Sequence, residues 1–201
     1  TSPFPRIVQY AQSIIGREAR KQIMEMEGKL MDLCVGCVGG GSNFIGLIHE
    51  FLDEPDVKMI GVEASESASL SKGTVGIMQG MKSYMLQNDY GSMTTGGPNI
   101  SAGTQFYSVG PEHAYLKSIG RVECMVVNTM YVRMYLKVIR GKAAVQVSRV
   151  VDAWASVVHM HSTYEFFVLY YQIGLSRPAD SVASTWFTHH NRIYFLYIAC
   201  H

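Results

Sequence analysis

The sequence has few cysteines, few charged side chains and no long apolar run. Its 201 residues include four cysteines, too few for the dense disulfide framework of a small secreted domain, so we expect reduced thiols and a cytoplasmic setting. The 17 basic and 16 acidic residues give a net charge of +1, which lacks the positive excess of a nucleic-acid binder. Because no stretch reaches 18 uninterrupted apolar residues, we expect no membrane-spanning helix.

What the chain does contain is ample apolar material for a core. Hydrophobic residues make up 48% of the sequence, which excludes a disordered chain. The charge is unevenly distributed, since residues 1–124 carry a net charge of −3 and residues 125–201 carry +4. Such a shift marks either a domain boundary near residue 124 or a stretch under different sequence constraints.

The pattern of apolar runs predicts alternating strands and helices. The continuous apolar run Leu33–Val38 is typical of a buried strand, the glycine-rich residues 39–43 break it, and an amphipathic helix over Phe44–Leu52 precedes a second strand at Val57–Val62. This order is a βαβ unit, which favours an α/β fold with a parallel sheet. Further helices are predicted around residues 5–15, 17–27, 112–119, 130–140 and 146–160, and further strands at 122–127 and near 166–173.

The glycine turn is the segment best suited to bind a ligand. Without Cβ atoms, Gly39, Gly40 and Gly41 allow backbone N–H groups to converge on one point, and the following helix adds its positive end. Ser42 and Asn43 can add side-chain donors and cap that helix. The spacing does not fit G-x-G-x-x-G, and no lysine follows the glycines as in a P-loop. The turn therefore predicts a phosphate site, and the alternative is a tight turn that binds nothing.

Other chemistry-bearing residues give weaker patterns. Cys34 and Cys37 spell C-x-x-C, but positions i and i+3 of a strand point to opposite faces, so we interpret both as small buried residues. The histidines of 159–161 and 189–190 lack supporting ligand spacing, so we expect no metal site there.

The segment Cys37–Gly46 resembles the phosphate-binding loop of the tryptophan synthase β chain, a fold-type II pyridoxal phosphate enzyme. Three further segments are similar and occur in the same order, namely Ile60–Ala64, Ser101–Gly103 and Ser108–Leu116. The match covers about residues 3–124. The resemblance implies a three-layer parallel-sheet α/β domain, with residues 1–124 as the cofactor-phosphate domain and residues 125–201 as its divergent continuation.

The same resemblance implies a site and an activity. The backbone amides of Gly39, Gly40 and Gly41, with Ser42 and Asn43, would bind the phosphate of pyridoxal phosphate. A monovalent cation, Na⁺ or K⁺, would lie on the main-chain carbonyls of Gly39, Phe106 and Ser108. The family replaces the hydroxyl of L-serine with indole to give L-tryptophan, and it acts as a homodimer beside a tryptophan synthase α chain. By resemblance the compartment is the cytoplasm or a plastid.

Departures from the family pattern suggest a fragment or a degenerate copy. The family's Schiff-base lysine follows a histidine, and none of the eight lysines of this chain does, so no catalytic residue is assigned and the isolated chain is expected to be inactive. Phe44 replaces a small residue and is expected to crowd the turn. After Cys124 only faint echoes remain, at residues 152–155 and 175–180.

Two alternatives follow from these departures. One is a non-catalytic module that binds a phosphate ligand or a partner through the inherited fold. The other is a related fold-type II enzyme such as a serine or threonine dehydratase, which fits less well because Val109–Tyr115 is closer to tryptophan synthase.

Overall fold

The computed structural model describes residues 2–94 and 104–128, together with the backbone of two later strands. Its helices are α1 (Phe4–Gln12), α2 (Ile14–Glu27), α3 (Ser42–Ile48, extended by a 3₁₀ turn at His49–Phe51), α4 (Ser69–Lys72) and α5 (Pro111–Ser118). Its strands are β1 (Leu33–Cys37), β2 (Lys58–Ala64), β3 (Thr74–Met78), β4 (Met81–Met85), β5 (Glu123–Val127), β6 (Phe166–Tyr171) and β7 (Ile193–Ile198). The helices predicted at 130–140 and 146–160 lie outside the described residues.

A parallel sheet in the order β1-β2-β5 organises the described part of the chain. The strand β2 lies in the middle, and α3 connects β1 to β2, so the predicted βαβ unit is confirmed. The region between Gly73 and Met85, where turn residues dominate the sequence, forms the antiparallel hairpin β3–β4. The strands β6 and β7 form a separate parallel pair, and β7 was not predicted from the sequence.

The start of α3 differs from the prediction. The N-cap is Gly41, whose φ of 96° is left-handed, and no side chain caps the helix. The prediction that Ser42 and Asn43 cap the helix is therefore wrong. Because glycine adopts a positive φ without steric cost, the chain turns into the helix one residue before Ser42, and both polar residues lie in the first turn.

The hydrophobic core lies between the sheet and the helices α2 and α3. Ile15 and Ile23 of α2 are buried with Ile48 of α3, and Phe51 and Met59 are almost fully enclosed. The first helix contributes little to this core, because α1 has no buried residue and several of its large apolar side chains are exposed. Within the described ranges, no helix is both long and apolar enough to cross a membrane.

Candidate phosphate-binding site

The glycine turn lies at the carboxyl end of the parallel sheet, where open α/β sheets bind their ligands. It begins two residues after β1 ends and leads directly into α3. In the part of the chain that the structure describes, the backbone N–H groups of Gly39, Gly40, Gly41 and Ser42 donate no hydrogen bond. Consecutive unbonded N–H groups in a glycine turn are the donors that an anion requires.

The carbonyl groups of the turn are held from one side by the start of α5. The Gly110 N–H donates to the Gly40 carbonyl oxygen at 2.9 Å. The Nε2 atom of His113 lies 2.6 Å from the Gly41 carbonyl oxygen, which also accepts the Ile45 N–H at 2.9 Å. The turn is thus fixed by a segment about 70 residues later in the chain, not by its own sequence alone.

His113 is the residue beside the glycine turn that the sequence analysis did not single out. It appears in the sequence only as one letter of the Ser108–Leu116 segment, whereas in the structure its ring is 2% exposed and stacks on Phe44 with ring centroids 5.6 Å apart. Its Nδ1 atom is buried and has no hydrogen-bond partner among the described residues. Burial lowers the pKa of His113, against the opposing effect of its hydrogen bond to Gly41, so the ring is neutral.

Phe44 is accommodated in the sheet and not in the turn. Its ring is fully buried and lies over Gly36 and Gly61, which are register partners on β1 and β2. A Cβ atom added at Gly36 would lie 2.6 Å from the Phe44 ring, and one at Gly61 would lie 3.1 Å from it. The two glycines therefore form a recess that holds the ring. The ring packs against the sheet and does not crowd the glycine turn.

The two polar residues after the glycines point to different surroundings. Ser42 is exposed, so its hydroxyl is accessible to a ligand at the turn. Asn43 is half-buried, and its Nδ2 atom lies 3.5 Å from Cys37 Sγ. Of the two side chains predicted to bind phosphate, Ser42 is the one directed to solvent.

The segment predicted to provide cation ligands lies beside the turn. The Phe106 ring faces Gly40, where an added Cβ atom would contact it at 3.5 Å. Ser108 is buried, and its hydroxyl donates to the Tyr84 carbonyl oxygen at 3.1 Å. No cluster of three or more histidine, cysteine, aspartate or glutamate side chains suited to a metal occurs in the described ranges. The carbonyl site at Gly39, Phe106 and Ser108 stays a prediction.

A second polar group lies at the carboxyl end of β2. The carboxylate of Glu63 is fully buried and accepts the N–H groups of Leu70 at 2.7 Å and Ser71 at 2.8 Å, as well as the Ser71 hydroxyl at 2.5 Å. Burial raises the pKa of Glu63, and these hydrogen bonds oppose that rise. Because its oxygens are used by the backbone of α4, Glu63 holds that helix in place and does not face the glycine turn.

Cys34 and Cys124 are poor nucleophiles. Burial raises the pKa of Cys34 to about 12 and that of Cys124 to about 11. The thiolate is the reactive form, so both side chains stay protonated at neutral pH. This agrees with the interpretation of Cys34 as a packing residue.

The fold is that of the fold-type II pyridoxal phosphate enzymes. The chain is similar to a threonine deaminase from T.th. (TM-score 0.52, 17% identity, 92% of this chain and 54% of that chain). It is also similar to maize serine racemase (TM-score 0.50, 14% identity, 94% of this chain and 48% of that chain). A third similar structure is an L-serine ammonia-lyase from Rhizomucor miehei (TM-score 0.53, 13% identity, 94% of this chain and 50% of that chain). At these identities the likeness defines the fold alone.

Sequence similarity is more specific. The chain is 48% identical over 129 residues to the tryptophan synthase β chain of Allorhizobium ampelinum, an alignment that covers 60% of this chain and 32% of the relative. This stretch is therefore homologous to the tryptophan synthase β chain, as the ordered motifs indicated. The chain spans about a third of the length of that relative. No protein-family model matches the chain.

Proposed function

We propose that the turn Gly39–Asn43 binds the phosphate group of pyridoxal phosphate and that the chain takes part in converting L-serine and indole to L-tryptophan. The observation that carries this proposal is the row of unbonded N–H groups from Gly39 to Ser42, in a segment homologous to the tryptophan synthase β chain. A phosphate dianion needs several N–H donors, and those of this turn make no hydrogen bond to the described residues.

The residues of the turn fit the cofactor phosphate in a simple way. Glycine at positions 39–41 lets the ligand approach the backbone closely, and the exposed Ser42 hydroxyl adds one further donor. When bound, pyridoxal phosphate supplies an electron sink for the charge that develops on the substrate. The contribution of this chain is to hold the phosphate, and thereby to fix the position of the cofactor ring.

A cation proposal accompanies the phosphate proposal. We infer that Na⁺ or K⁺ binds the carbonyl oxygens of Gly39, Phe106 and Ser108, because uncharged carbonyls suit a hard, weakly held cation. The packing of the Phe106 ring against Gly40 supports this inference, since it brings the two segments together. Exchange of K⁺ for a large tetraalkylammonium ion is expected to weaken phosphate binding if the cation supports the turn.

The assembly follows from the same proposal. The chain would act as a homodimer beside a tryptophan synthase α chain, in the cytoplasm or a plastid. Residues 1–124 would form the cofactor-phosphate domain, and residues 125–201 would continue it.

A second candidate is a non-catalytic module that retains only phosphate binding. The observation that favours it is the lysine context, because none of the eight lysines follows a histidine. The two candidates differ in one assay. Formation of tryptophan from L-serine and indole, with added pyridoxal phosphate, supports catalysis and rejects the non-catalytic module.

The phosphate proposal is tested by equilibrium titration of the full chain. We use pyridoxamine 5′-phosphate, which has no aldehyde to react with surface lysines, and compare it with pyridoxamine, which lacks the phosphate. We expect saturable binding of the first and much weaker binding of the second. Equal affinity for both ligands contradicts the proposal.

A pair of glycine variants sharpens the titration. Gly41→Ala places a Cβ atom on the His113 ring at a φ of 96°, so we expect loss of binding. Gly91→Ala is the matched control, because its φ is 78° and nothing lies within 4 Å of the added Cβ atom. The control is expected to lose about 1–2 kcal/mol of stability while keeping its affinity. Equal affinity in both variants would place the ligand elsewhere.

A further inference from the structure

Two carbonyl groups of the glycine turn, those of Gly40 and Gly41, contact the same segment at the start of α5. Gly40 O accepts the backbone N–H of Gly110, and Gly41 O lies at hydrogen-bond distance from the His113 side chain. Gly110 precedes α5, which starts at Pro111, and His113 is the third residue of that helix. The His113 N–H donates to the Gly110 carbonyl oxygen at 3.1 Å, so the two partners of the turn are joined to each other.

Peptide geometry converts these carbonyl contacts into a direction for the N–H groups. In a trans peptide the carbonyl of one residue and the N–H of the next are coplanar and point in opposite directions. The Gly41 carbonyl points to its two donors, the Ile45 N–H and His113 Nε2, so the Ser42 N–H points away from both of them. The Gly40 carbonyl points to Gly110, so the Gly41 N–H points away from Gly110. Both N–H groups are among those that bond to no described residue.

The contact distance determines the tautomer of His113. Two acceptor atoms cannot face each other at 2.6 Å, so Nε2 carries the proton and donates to the Gly41 carbonyl oxygen. The lone pair then resides on Nδ1, which is buried and unbonded within the described ranges. The parallel stack with Phe44, at an interplanar angle of 13°, fixes the plane of the ring. The donor therefore has one direction available to it.

We propose that His113 is a positioning residue of the phosphate site, whose Nε2–H holds the Gly41 carbonyl so that the Ser42 N–H faces the bound phosphate. The inference rests on the proposed function, since it names how the same site is kept in shape. Of the three contacts to the carbonyls of the turn, those from Gly110 and Ile45 come from the backbone and would be made by most residues. The His113 contact depends on one side chain, and substitution can remove it.

The experiment compares two substitutions at position 113 by titration of the full chain with pyridoxamine 5′-phosphate. His113→Met removes the Nε2–H donor and replaces the ring with an apolar side chain of similar size. His113→Gln keeps an amide N–H at about the distance of Nε2 from the backbone. We expect His113→Met to weaken binding about tenfold, the factor for loss of one ordinary hydrogen bond, and His113→Gln to restore most of it.

A control separates positioning from loss of stability. Leu116→Ala truncates another buried residue of α5 that belongs to the hydrophobic core. It is expected to lower the unfolding temperature at least as much as His113→Met while the affinity of the folded protein stays unchanged. If Leu116→Ala weakens binding as much as His113→Met does, the effect is one of stability and the inference is overturned.

The remaining outcomes are also decisive. Unchanged affinity in His113→Met, or an equal loss in His113→Gln, shows that the Nε2 donor has no positioning role. If His113→Met does not fold, ¹⁵N spectra of histidine-labelled wild-type protein identify the tautomer of His113. The signal that is missing in His113→Gln assigns the resonance. The Nδ1–H tautomer overturns the inference, whereas the Nε2–H tautomer with a shift on phosphate addition supports it. Absence of any binding by the wild-type chain rejects the proposed function itself, and the role of His113 with it.

Discussion

At the scale of single residues, a buried neutral histidine and a left-handed glycine define the site. The His113 ring has no charged partner among the described residues, and its enclosure makes protonation costly because the added proton at Nδ1 would find no acceptor there. Gly41 has a backbone conformation that other residues rarely adopt, and the histidine ring occupies the space a Cβ atom would need.

The lowered pKa of His113 predicts how stability depends on pH. The ordinary pKa of a histidine is 6.5, and that of His113 is lowered in the folded protein. Just below pH 6.5 the folded protein therefore keeps the ring neutral, whereas the unfolded chain protonates it. Above pH 6.5 both states are neutral, and as pH falls below 6.5 the free energy of unfolding falls by at most about 1.4 kcal/mol per pH unit from this group. His113→Gln is expected to lose this component, as measured by urea unfolding at pH 7.5 and 5.5.

The comparison requires a substitution in the same helix that leaves the histidine in place. Tyr115→Phe, on the exposed side of α5, is expected to keep the wild-type difference between the two pH values. If His113→Gln shows the same difference as wild type, the ring is not kept neutral by the fold.

At the scale of secondary-structure elements, β1, α3 and β2 are fitted to one another through an aromatic ring. The ring of Phe44 lies over two strands at a point where both carry glycine, and it stacks on His113 of α5. A single side chain thus connects the sheet to the helix that positions the turn. The strand pairing Gly36↔Gly61 makes this possible, because the two missing Cβ atoms are adjacent.

This fit predicts a non-additive pair of substitutions. Gly36→Ala places a methyl group against the Phe44 ring and is expected to cost about 1–3 kcal/mol through overpacking. Phe44→Ala alone leaves a cavity and is expected to cost about 3–5 kcal/mol. The double variant is expected to cost less than the sum, because removal of the ring makes room for the methyl group. Denaturant unfolding of the four proteins measures the difference, and strictly additive costs would mean that the methyl group never meets the ring.

Sequence periodicity predicted these elements better than it predicted their ends. The apolar runs of β1 and β2 and the glycine turn between them are local signals, so the βαβ unit could be identified without tertiary information. The start of α3 could not, because it depends on the left-handed conformation of Gly41, which the distant His113 and Gly110 help to hold. The strand β7 was missed.

At the scale of the whole molecule, one arginine links two loops. Arg121, just before β5, binds the segment between α3 and β2. The Arg121 guanidinium donates to four backbone carbonyl oxygens, those of Phe51, Leu52, Glu54 and Val57, at 2.7–3.0 Å. These oxygens lie after α3, and those of Phe51 and Glu54 also accept a backbone N–H, from Glu54 and Val57 respectively, at 3.1 Å. A planar, always charged guanidinium group suits donation to several carbonyl oxygens because it presents five N–H donors in a fixed geometry.

Removal of this connection predicts a large loss of stability. Arg121→Met removes the guanidinium donors from all four carbonyl groups, of which those of Phe51 and Glu54 keep a backbone N–H donor, and it is expected to cost about 2–4 kcal/mol, measured as the free energy of unfolding in urea. Lys21→Met is the control, because its pairing with Glu25 at 3.9 Å is exposed and such surface pairs contribute at most about 1 kcal/mol. Similar losses in the two variants would show that Arg121 acts only as a surface charge.

The sequence by itself determined the fold class, the place of the glycine turn and the homology to the tryptophan synthase β chain, because apolar periodicity, glycine spacing and ordered motifs are properties of the linear chain. The tertiary structure decided how the turn is held. The contacts of His113 with Gly41 and of Arg121 with Phe51 join residues about 70 positions apart, and no local pattern specifies which side chain meets which carbonyl. The direction of a backbone N–H depends on where its peptide's carbonyl finds a donor, and the donors from Gly110 and His113 reach the turn only in the folded chain.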